Sequence, residues 1–542
     1  MKLKNITALV LASALVLAGC GGGTGTTSTQ ATDSSGGAAA ETTQAPSDTQ
    51  ATSGAVTDNG AAKNLVIAVN NNFITLDTHA SRDSLTNSVN AIMYEGLVEY
   101  DDDLNLVPCL AESFDISDDA LVYTFKLKEG IKFHDGELLT AEVVKTNIER
   151  VMNPDKALRQ ARAFSYAEEI NVLDDYTLEI RLREPYMAFL SRLEAFQIIS
   201  PAALENEDKL PKNPVGTGQF RFVEWVEGDH MTVEKNPDWR NADQIQVDTV
   251  TFKFVPENGT RVAMLETGEA DIIYPMPNEM VSKIEANSEL VLEVRDSTVC
   301  RYVTMNQNVK PFDDVRVRQA LNYAIDKDAF IAVVKGGYGN RLNSAMSPVL
   351  PYYVEHEEYA YNIEKAKELL TEAGYPDGFE ATIWGNTESE TVRGMNFIEQ
   401  QLSLIGVKLN VMPMEEGTLS TKVYDTTPET TELQMWYVSW SAMDPDNAIR
   451  STFHSEMYPP TGANTNYYKN PDLDQAINSG NASITFDDQF KYYKVAQDEI
   501  WDDAVWMFMG VDQSLLAMNS RVTGAKLLPA GDGVNLSEVG LK

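Results

Sequence analysis

Residues 111–136 carry the clearest fold signal in the chain: Ala111-Glu-Ser-Phe-Asp-Ile-Ser-Asp-Asp-Ala-Leu-Val-Tyr-Thr-Phe-Lys-Leu-Lys-Glu-Gly-Ile-Lys-Phe-His-Asp-Gly136. Residues 122–127 alternate apolar and polar side chains, which predicts a half-buried strand. The stretch ends in Asp135-Gly136, a dipeptide typical of turns. His134 stands beside that turn, and this placement indicates a structural constraint rather than a catalytic group.

Outside this stretch, signals for helices and strands alternate along the chain. Further strands are predicted at residues 65–69 and 176–182. Polar side chains precede several apolar runs with helical spacing, as N-caps do. The predicted N-caps are Thr140, Asn362 and either Asp313 or Asp314. The chain is therefore expected to have a mixed α/β (α+β) fold.

The N-terminus has the features of a secretion signal. Lys2 and Lys4 precede an apolar run at residues 6–17, and Leu-Ala-Gly-Cys20 follows. This run is shorter than the roughly 20 residues that span a bilayer. We expect a lipoprotein signal peptide over 1–20, with Cys20 as the lipid anchor. The alternatives are an ordinary signal peptide with an incidental cysteine, or a short buried helix.

Residues 21–62 are expected to form a disordered tether. Their composition of small and polar residues, without aromatic side chains, Lys or Arg, offers too little apolar surface to offset the entropy of ordering. The globular part would then start at residue 63. Length alone suggests that this part holds two to four domains.

Composition excludes several function classes. The formal net charge of −38 argues against a nucleic-acid partner, because binding to phosphates needs a surplus of Lys and Arg. The sequence lacks a GxSxG nucleophile elbow and a P-loop, and five histidines make a three-histidine zinc site improbable. Because these motifs are missing and histidines are few, we expect no enzymatic activity, no cofactor and no metal site.

Cys109 and Cys300 either pair or stay separate buried thiols.

Four ordered blocks resemble one family, the extracellular solute-binding proteins of family 5, which are the peptide, nickel and related receptors of ABC importers. The first block is the stretch 111–136, continued to residue 141. The other three are Val-Gly-Thr-Gly-Gln-Phe at 215–220, the block at 310–326, and the block at 366–378 with its Ala-Gly-Tyr-Pro. The resemblance runs from about residue 65 to the C-terminus.

The resemblance implies a bilobed periplasmic-binding-protein-like fold with an additional subdomain. Domain I would comprise residues 63–95, 211–300 and 505–542, domain II residues 96–210, and domain III residues 301–504. The chain would cross between the lobes twice, near residues 300 and 506. Residues 505–510 are expected to be a short returning hinge strand ended by Gly510.

The resemblance also implies a ligand cleft between domains I and III. Trp436 and Trp440 would share one face of a strand and Tyr437 the other. In peptide-binding relatives an aspartate three residues after the tryptophan holds the ligand ammonium, but that position here is Met443. Asp444 is the candidate replacement. The alternative is an Asp-Pro-Asp turn that caps a following helix, a role that suits Asp446.

Other candidates for the cleft carry weaker signals. Asn72 and Phe73 follow the first strand, Arg341 follows a glycine-rich turn, and Trp384 ends a strand facing the same region. The expected ligand-binding residues are Asn72, Phe73, Arg341, Trp384, Trp436, Tyr437, Trp440, Asp444 and Asp446.

The expected function is that of a lipid-anchored, extracytoplasmic subunit that captures a small solute for an ABC importer. A peptide or glutathione-like ligand is favoured. An oligosaccharide, a metal complex, or a surface sensor without an importer are the alternatives. The expected partners are permease subunits and, through Cys20, the outer face of the cytoplasmic membrane, which in a Gram-negative cell faces the periplasmic space. The protein itself is expected to be a monomer.

Overall fold

The coordinates are a computed structural model that describes residues 63–81, 83–531 and 533–542. The predicted signal peptide, Cys20 and the tether lie outside the described residues. No helix in the described part of the chain is both long and apolar enough to cross a bilayer.

Helices and strands alternate along the described chain. The helices are α1 (Ser84–Met93), α2 (Ala141–Met152), α3 (Phe189–Glu194), α4 (Pro201–Leu204), α5 (Asn258–Thr267), α6 (Val281–Glu285), α7 (Val315–Tyr323), α8 (Lys327–Val334), α9 (Ile363–Glu372), α10 (Ser389–Ser403), α11 (Glu416–Tyr424), α12 (Pro445–Phe453), α13 (Pro471–Ala482) and α14 (Phe486–Asp502). The strands are β1 (Asn64–Val69), β2 (Val98–Tyr100), β3 (Leu106–Pro108), β4 (Ala111–Ile116), β5 (Val122–Leu127), β6 (Ala167–Asp174), β7 (Thr177–Leu182), β8 (Phe220–Val226), β9 (His230–Lys235), β10 (Thr249–Phe254), β11 (Ile272–Tyr274), β12 (Leu290–Met305), β13 (Gly339–Arg341), β14 (Glu380–Asn386), β15 (Lys408–Met414), β16 (Met435–Trp440), β17 (Trp506–Asn519), β18 (Val522–Thr523), β19 (Lys526–Leu527), β20 (Val534–Asn535) and β21 (Gly540–Leu541). The predicted mixed α/β class is confirmed.

One large sheet runs through most of the molecule. Within the described residues it has 11 strands in the order β15-β14-β16-β12-β17-β11-β1-β10-β9-β8, with β13 paired to β17. The strand β1 lies parallel between β10 and β11 and is buried over most of its length. That position explains its nearly continuous apolar sequence, because central parallel strands are covered on both faces.

The two ends of this sheet form separate lobes. The first lobe contains β1 and β8–β11, and its core also takes in α1. The second lobe contains β13–β16 with α7–α14, and its cores cover both faces of the sheet. An additional domain, built on the sheet β4-β5-β7-β6 with α2 and α3, has its own core. The exact domain boundaries remain a prediction.

Two of the sequence blocks contact each other. The ring of His134 lies with Nε2 3.0 Å from the carbonyl oxygen of Gly218, and the Gly216 N–H donates to Nδ1 over 3.4 Å. A Cβ atom at Gly218 would lie 2.5 Å from the carbonyl carbon of Met93. The His-Asp-Gly turn and the Gly-Thr-Gly loop are therefore one packing unit, as the structural interpretation of His134 implied.

A third block is tied to β17. Asn322 of α7 donates to the carbonyl oxygen of Trp506 over 2.8 Å, and its Oδ1 accepts the Phe508 N–H over 3.0 Å. Arg318 donates through Nε to the carbonyl oxygen of Asp503 over 2.9 Å. These buried bonds fix the start of β17 against α7.

Several local predictions are confirmed and one is wrong. Thr140, Asn362 and Asp314 are the N-caps of α2, α9 and α7. Cys109 and Cys300 are both buried free thiols. The strand expected to end at Gly510 instead continues to Asn519, because β12 supplies pairing partners on both sides of this glycine.

Candidate functional site

The lobes are joined by β12 and β17, which run antiparallel to each other along almost their whole lengths. On the first-lobe side β17 also pairs with β11, and on the second-lobe side β12 also pairs with β16. The register of the β12–β17 pair is interrupted between Asp296 and Cys300. Because such irregularities bend a strand pair locally, this interruption is the candidate hinge of the sheet.

Side-chain hydroxyl groups connect the candidate hinge to the segments on either side. Ser297 Oγ donates to the carbonyl oxygen of Asp512 over 2.8 Å, and Ser347 Oγ donates to the carbonyl oxygen of Ser297 over 2.8 Å. Thr298 Oγ1 lies 2.7 Å from Ser441 Oγ, at the end of β16. The hinge and the segment that follows β16 therefore share side-chain contacts.

Four charged groups meet on the second-lobe side of the hinge. Asp512 accepts from Arg301 Nε over 2.9 Å and lies 3.0 Å from Lys335 Nζ. Glu390 lies 2.7 Å from Lys335 Nζ and 3.5 Å from Arg301 Nη2. Burial alone would raise the pKa of Asp512, but Arg301 and Lys335 outweigh it and hold this pKa below its usual range. The two acids and two bases balance, so the cluster is internally neutral.

The strand β16 presents the predicted aromatic face. Trp436 is 8% exposed and is the register partner of Trp384 on β14, which is 4% exposed. Lys422 Nζ lies 5.5 Å from the Trp384 ring centroid. Trp440, at the end of β16, is only partly buried, and its Nε1 donates to the carbonyl oxygen of Asn447 over 3.3 Å. Trp440 is therefore the member of this aromatic face with the most accessible ring.

Two further predicted ligand residues are packed in the cores of the lobes. Tyr437 lies on the opposite face of β16, is 2% exposed and packs edge-on against Phe330. Phe73 packs edge-on against Phe252 and Phe254 in the first lobe. Both rings are packed in cores, as large aromatic side chains usually are. Their assignment as ligand-binding residues stays a prediction, as it does for the similarly buried Trp384 and Trp436.

Arg341 and Asn72 are engaged elsewhere as well. The guanidinium of Arg341 pairs with Asp328 and Glu358, and the hydrogen bond to Asp328 is the first cause that raises its pKa. A ligand carboxylate would have to compete with two carboxylates of the protein. The amide oxygen of the exposed Asn72 accepts from the Gly228 N–H over 3.1 Å, at the turn between β8 and β9. Contact of these two residues with a ligand has no geometric support here.

The Asp-Pro-Asp segment caps a helix as predicted, but the capping residue is Asp444 and not Asp446. Asp444 is the N-cap of α12 and accepts the Asn447 N–H over 2.8 Å, whereas Asp446 accepts from Arg450 Nε over 2.8 Å. The expectation that Asp446 would be the cap is wrong. Pro445 is the first helical residue, a position that proline favours, and this places the cap at Asp444.

Arg192 is the residue that sequence reasoning missed. It lies on α3 of the additional domain, with Nη1 3.5 Å from Asp444 Oδ2 and Nη2 3.7 Å from Asp446 Oδ2. The Tyr100 hydroxyl donates to the carbonyl oxygen of Met443 over 3.2 Å at the same contact. Residues so distant along the chain carry no local signal of their pairing. Only the fold brings the additional domain against the segment after β16.

Comparison with known proteins gives one family. The model of the bacterial extracellular solute-binding proteins, family 5 Middle, matches residues 105–459. The glutathione-binding protein GsiB of Pectobacterium atrosepticum is 40% identical over 477 residues, which cover 86% of this chain and 92% of that protein. GsiB of Salmonella typhimurium is 35% identical over 488 residues, covering 89% and 95%.

Solved structures have the same architecture. The ABC transporter substrate-binding protein CtaP of Listeria monocytogenes superposes with a TM-score of 0.81 at 26% identity, covering 89% of this chain and 99% of that one. The periplasmic binding protein DppA of Helicobacter pylori, in complex with the peptide STSA, superposes with a TM-score of 0.76 at 27% identity, covering 89% and 98%. The bilobed fold expected from the sequence is thus confirmed.

Proposed function

This chain belongs to the bacterial extracellular solute-binding proteins of family 5, and from that premise we propose that it captures glutathione or another short peptide in the cleft between its lobes. The family consists of binding proteins that serve ABC importers, and this chain is a binding protein rather than an enzyme.

The relatives support a peptide ligand. GsiB, named for glutathione binding, is 40% identical to this chain over 92% of its own length. That identity extends through both lobes and the additional domain, so the whole ligand-enclosing framework is shared. The DppA structure holds the peptide STSA in a framework of the same shape. Glutathione is itself a tripeptide, so both relatives favour the same ligand class.

The observation that carries the mechanism is the paired crossing of β12 and β17. Lobes that share one bent strand pair can rotate about it while their cores stay intact. Ligand captured between the lobes contacts both of them only in the closed form, so binding shifts the hinge equilibrium toward closure. Trp440 would provide an apolar wall at the end of β16, as enclosed ligand sites require.

Attachment and partners complete the proposal. Cys20 would hold the protein at the outer face of the cytoplasmic membrane. It would carry several acyl chains, because a single chain gives only marginal anchoring. The protein would act as a monomer and pass its ligand to the permease subunits of an importer.

Replacing Cys20 with serine should release the protein from membranes, as fractionation would measure. Equal membrane retention of both forms would contradict the anchor.

The test of the ligand is a thermal-shift panel on residues 21–542. It would compare glutathione, dipeptides to pentapeptides, cello-oligosaccharides, and nickel with histidine. A ligand at 100 times its Kd stabilises the native state by about 2.7 kcal/mol, which raises Tm measurably. A shift with peptides or glutathione is expected. If only sugars or only the nickel complex raise Tm, the peptide proposal is wrong and the ligand belongs to that other class.

A further inference from the structure

Two arginines of the additional domain make contrasting contacts. Arg150, on α2, is 6% exposed, and its Nη1 and Nη2 donate to the two carboxylate oxygens of Asp77 over 3.2 and 2.7 Å. Arg192, on α3, is 24% exposed and faces Asp444 and Asp446 of the second lobe. Its distances to these two carboxylates, 3.5 and 3.7 Å, are longer than those of hydrogen bonds. The first contact is a complete bidentate pair, and the second is looser.

Further buried bonds fix the additional domain to the first lobe. Asn147 of α2 accepts the Ile199 N–H and donates to the carbonyl oxygen of the same residue, each over 2.9 Å. Both residues are fully buried, and Ile199 belongs to the core of the first lobe. The contact of His134 with Gly218 also joins the two. These bonds make the additional domain and the first lobe one body.

The second lobe is joined to this body through β12 and β17, and it meets the additional domain in a separate contact. There the Tyr100 hydroxyl donates to the carbonyl oxygen of Met443, and the Met187 N–H donates to the carbonyl oxygen of Asn481, each over 3.2 Å. Asp446 Oδ2 is buried without a hydrogen-bond partner among the described residues. Because a buried acceptor without a partner is costly, this contact is less firmly held than the one to the first lobe.

The charges at this contact balance only when the two surfaces meet. Asp444 Oδ1 accepts the Asn447 N–H, and Asp446 Oδ1 accepts from Arg450 Nε, both over 2.8 Å within the second lobe. Without Arg192, the two carboxylates would share one arginine. If the surfaces stayed together, one buried carboxylate would be uncompensated, which is strongly unfavourable. Loss of Arg192 therefore favours separation of the surfaces, in which water reaches the carboxylates.

We propose that Arg192, Asp444 and Asp446 form an interlobe latch, which holds the lobes together and slows the release of a captured ligand. Its effect on release rests on the proposed function, whereas its effect on closure does not. The latch and the ligand favour the same closed arrangement, so each strengthens the other. Arg192 is thus a positioning residue that acts through the arrangement of the lobes and needs no contact with the ligand.

The first test compares residues 21–542 with their Arg192→Gln variant, both without ligand. Small-angle X-ray scattering should give a larger radius of gyration for the variant, because its lobes separate. The Tm of the variant should stay close to that of the unchanged protein, since each lobe keeps its own core. Arg181→Gln, which removes a more exposed arginine of the same domain, should change neither value. An unchanged radius of gyration in Arg192→Gln, with or without a lower Tm, would overturn the proposal.

The second test measures the association and dissociation rates of glutathione and trialanine by stopped-flow fluorescence. In Arg192→Gln the dissociation rate should rise about tenfold and the association rate should change less than about twofold, because losing a closing contact acts mainly on dissociation. Asp444→Asn keeps an acceptor for the Asn447 N–H and removes the charge. The double variant should release ligand at the rate of Arg192→Gln alone, and independent, multiplying effects would overturn the proposal.

The two tests separate the latch from the proposed function. If a probe binds and Arg192→Gln releases it at the unchanged rate, the latch is wrong and the binding function stands. If neither glutathione nor trialanine binds, the proposed function fails, and the scattering comparison still decides whether Arg192 holds the lobes together.

Discussion

Arg301 Nε lies 2.9 Å from Asp512 Oδ2, across the strand pair that joins the two lobes. The carboxylate also lies 3.0 Å from Lys335 Nζ, so one acid holds a half-buried arginine and a buried lysine beside the hinge. A neutral cluster whose members depend on one another thus lies beside the strand pair that connects the lobes.

Asp512→Asn should therefore destabilise the protein severely. It keeps the shape of the side chain but leaves Arg301 and Lys335 with Glu390 as their remaining acid. Breaking a buried pair on one side costs about 3–5 kcal/mol, and denaturant titration would measure this loss. Glu380→Gln is the matched control, because its pair with Lys408 is highly exposed and worth less than about 1 kcal/mol. Equal effects of the two changes would show that the cluster adds nothing.

Stability should fall as the pH drops from 7 to 5, because two histidines are buried in their neutral form. Burial lowers the pKa of both His79 and His134 to about 4. Below pH 6.5 these two histidines bind protons in the unfolded chain but stay neutral in the folded protein. Stability is therefore lost down to about pH 4, where the histidines of the folded protein are protonated as well. The loss at pH 5 is about 2 kcal/mol for each histidine.

His134→Gln tests the second of these sites. Its loss of unfolding free energy between pH 7 and pH 5 should be smaller than that of the unchanged protein by about 2 kcal/mol. His230→Gln is the control, since Asp229 raises the pKa of this histidine and its contribution has the opposite sign. An unaltered pH dependence in His134→Gln would contradict the assignment.

Gly216→Ala should disrupt the contact between the two sequence blocks. A Cβ atom there would overlap the backbone carbonyl of Met93, which cannot move without displacing α1. Overpacking of this kind costs about 1–3 kcal/mol or more. Gly417→Ala, in the first turn of α11, would place its Cβ atom 3.2 Å from a carboxylate oxygen of Glu415, the side chain that caps this helix, and should lower stability less than Gly216→Ala does. Thermal unfolding would measure both changes, and a neutral Gly216→Ala would refute the packing argument.

Trp440→Leu should weaken ligand binding. Leucine keeps apolar volume but loses the partly exposed ring at the end of β16. We expect Kd to rise about tenfold, equivalent to about 1.4 kcal/mol, with a ligand-free Tm close to that of the unchanged protein. Trp225→Leu, on the edge strand β8 at the first-lobe end of the sheet, should leave Kd unchanged. Titration with the ligand found in the thermal-shift panel would decide, and unaltered affinity in Trp440→Leu would remove this residue from the site.

Local features of the fold could be predicted from sequence, because they depend on neighbouring residues. The alternation in β5 and the N-caps Thr140 and Asn362 are of this kind. Pro445 offered a similar signal for the cap at Asp444, but the sequence interpretation gave more weight to Asp446. The continuation of β17 through Gly510 depended on its partner strand, which the local pattern does not contain.

The candidate site was harder to predict, because burial separates residues of similar type. Trp440 and Tyr437 lie three positions apart on one strand, yet one ring is partly exposed and the other is in the core. The alternation of faces was predictable, but not which face a helix layer covers. The pairing of Arg192 with Asp444 joins distant parts of the chain and follows only from the assembled domains.

The pairing of β12 with β17 limits how the molecule can move. Two hydrogen-bonded strands side by side resist sliding and in-plane shear, but they bend readily out of the sheet where their register is interrupted. Opening and closing therefore have close to one degree of freedom. A single pair of spectroscopic labels, one on each lobe, would follow the whole trajectory, and the protein is suited to conversion into a biosensor with one distance as its output.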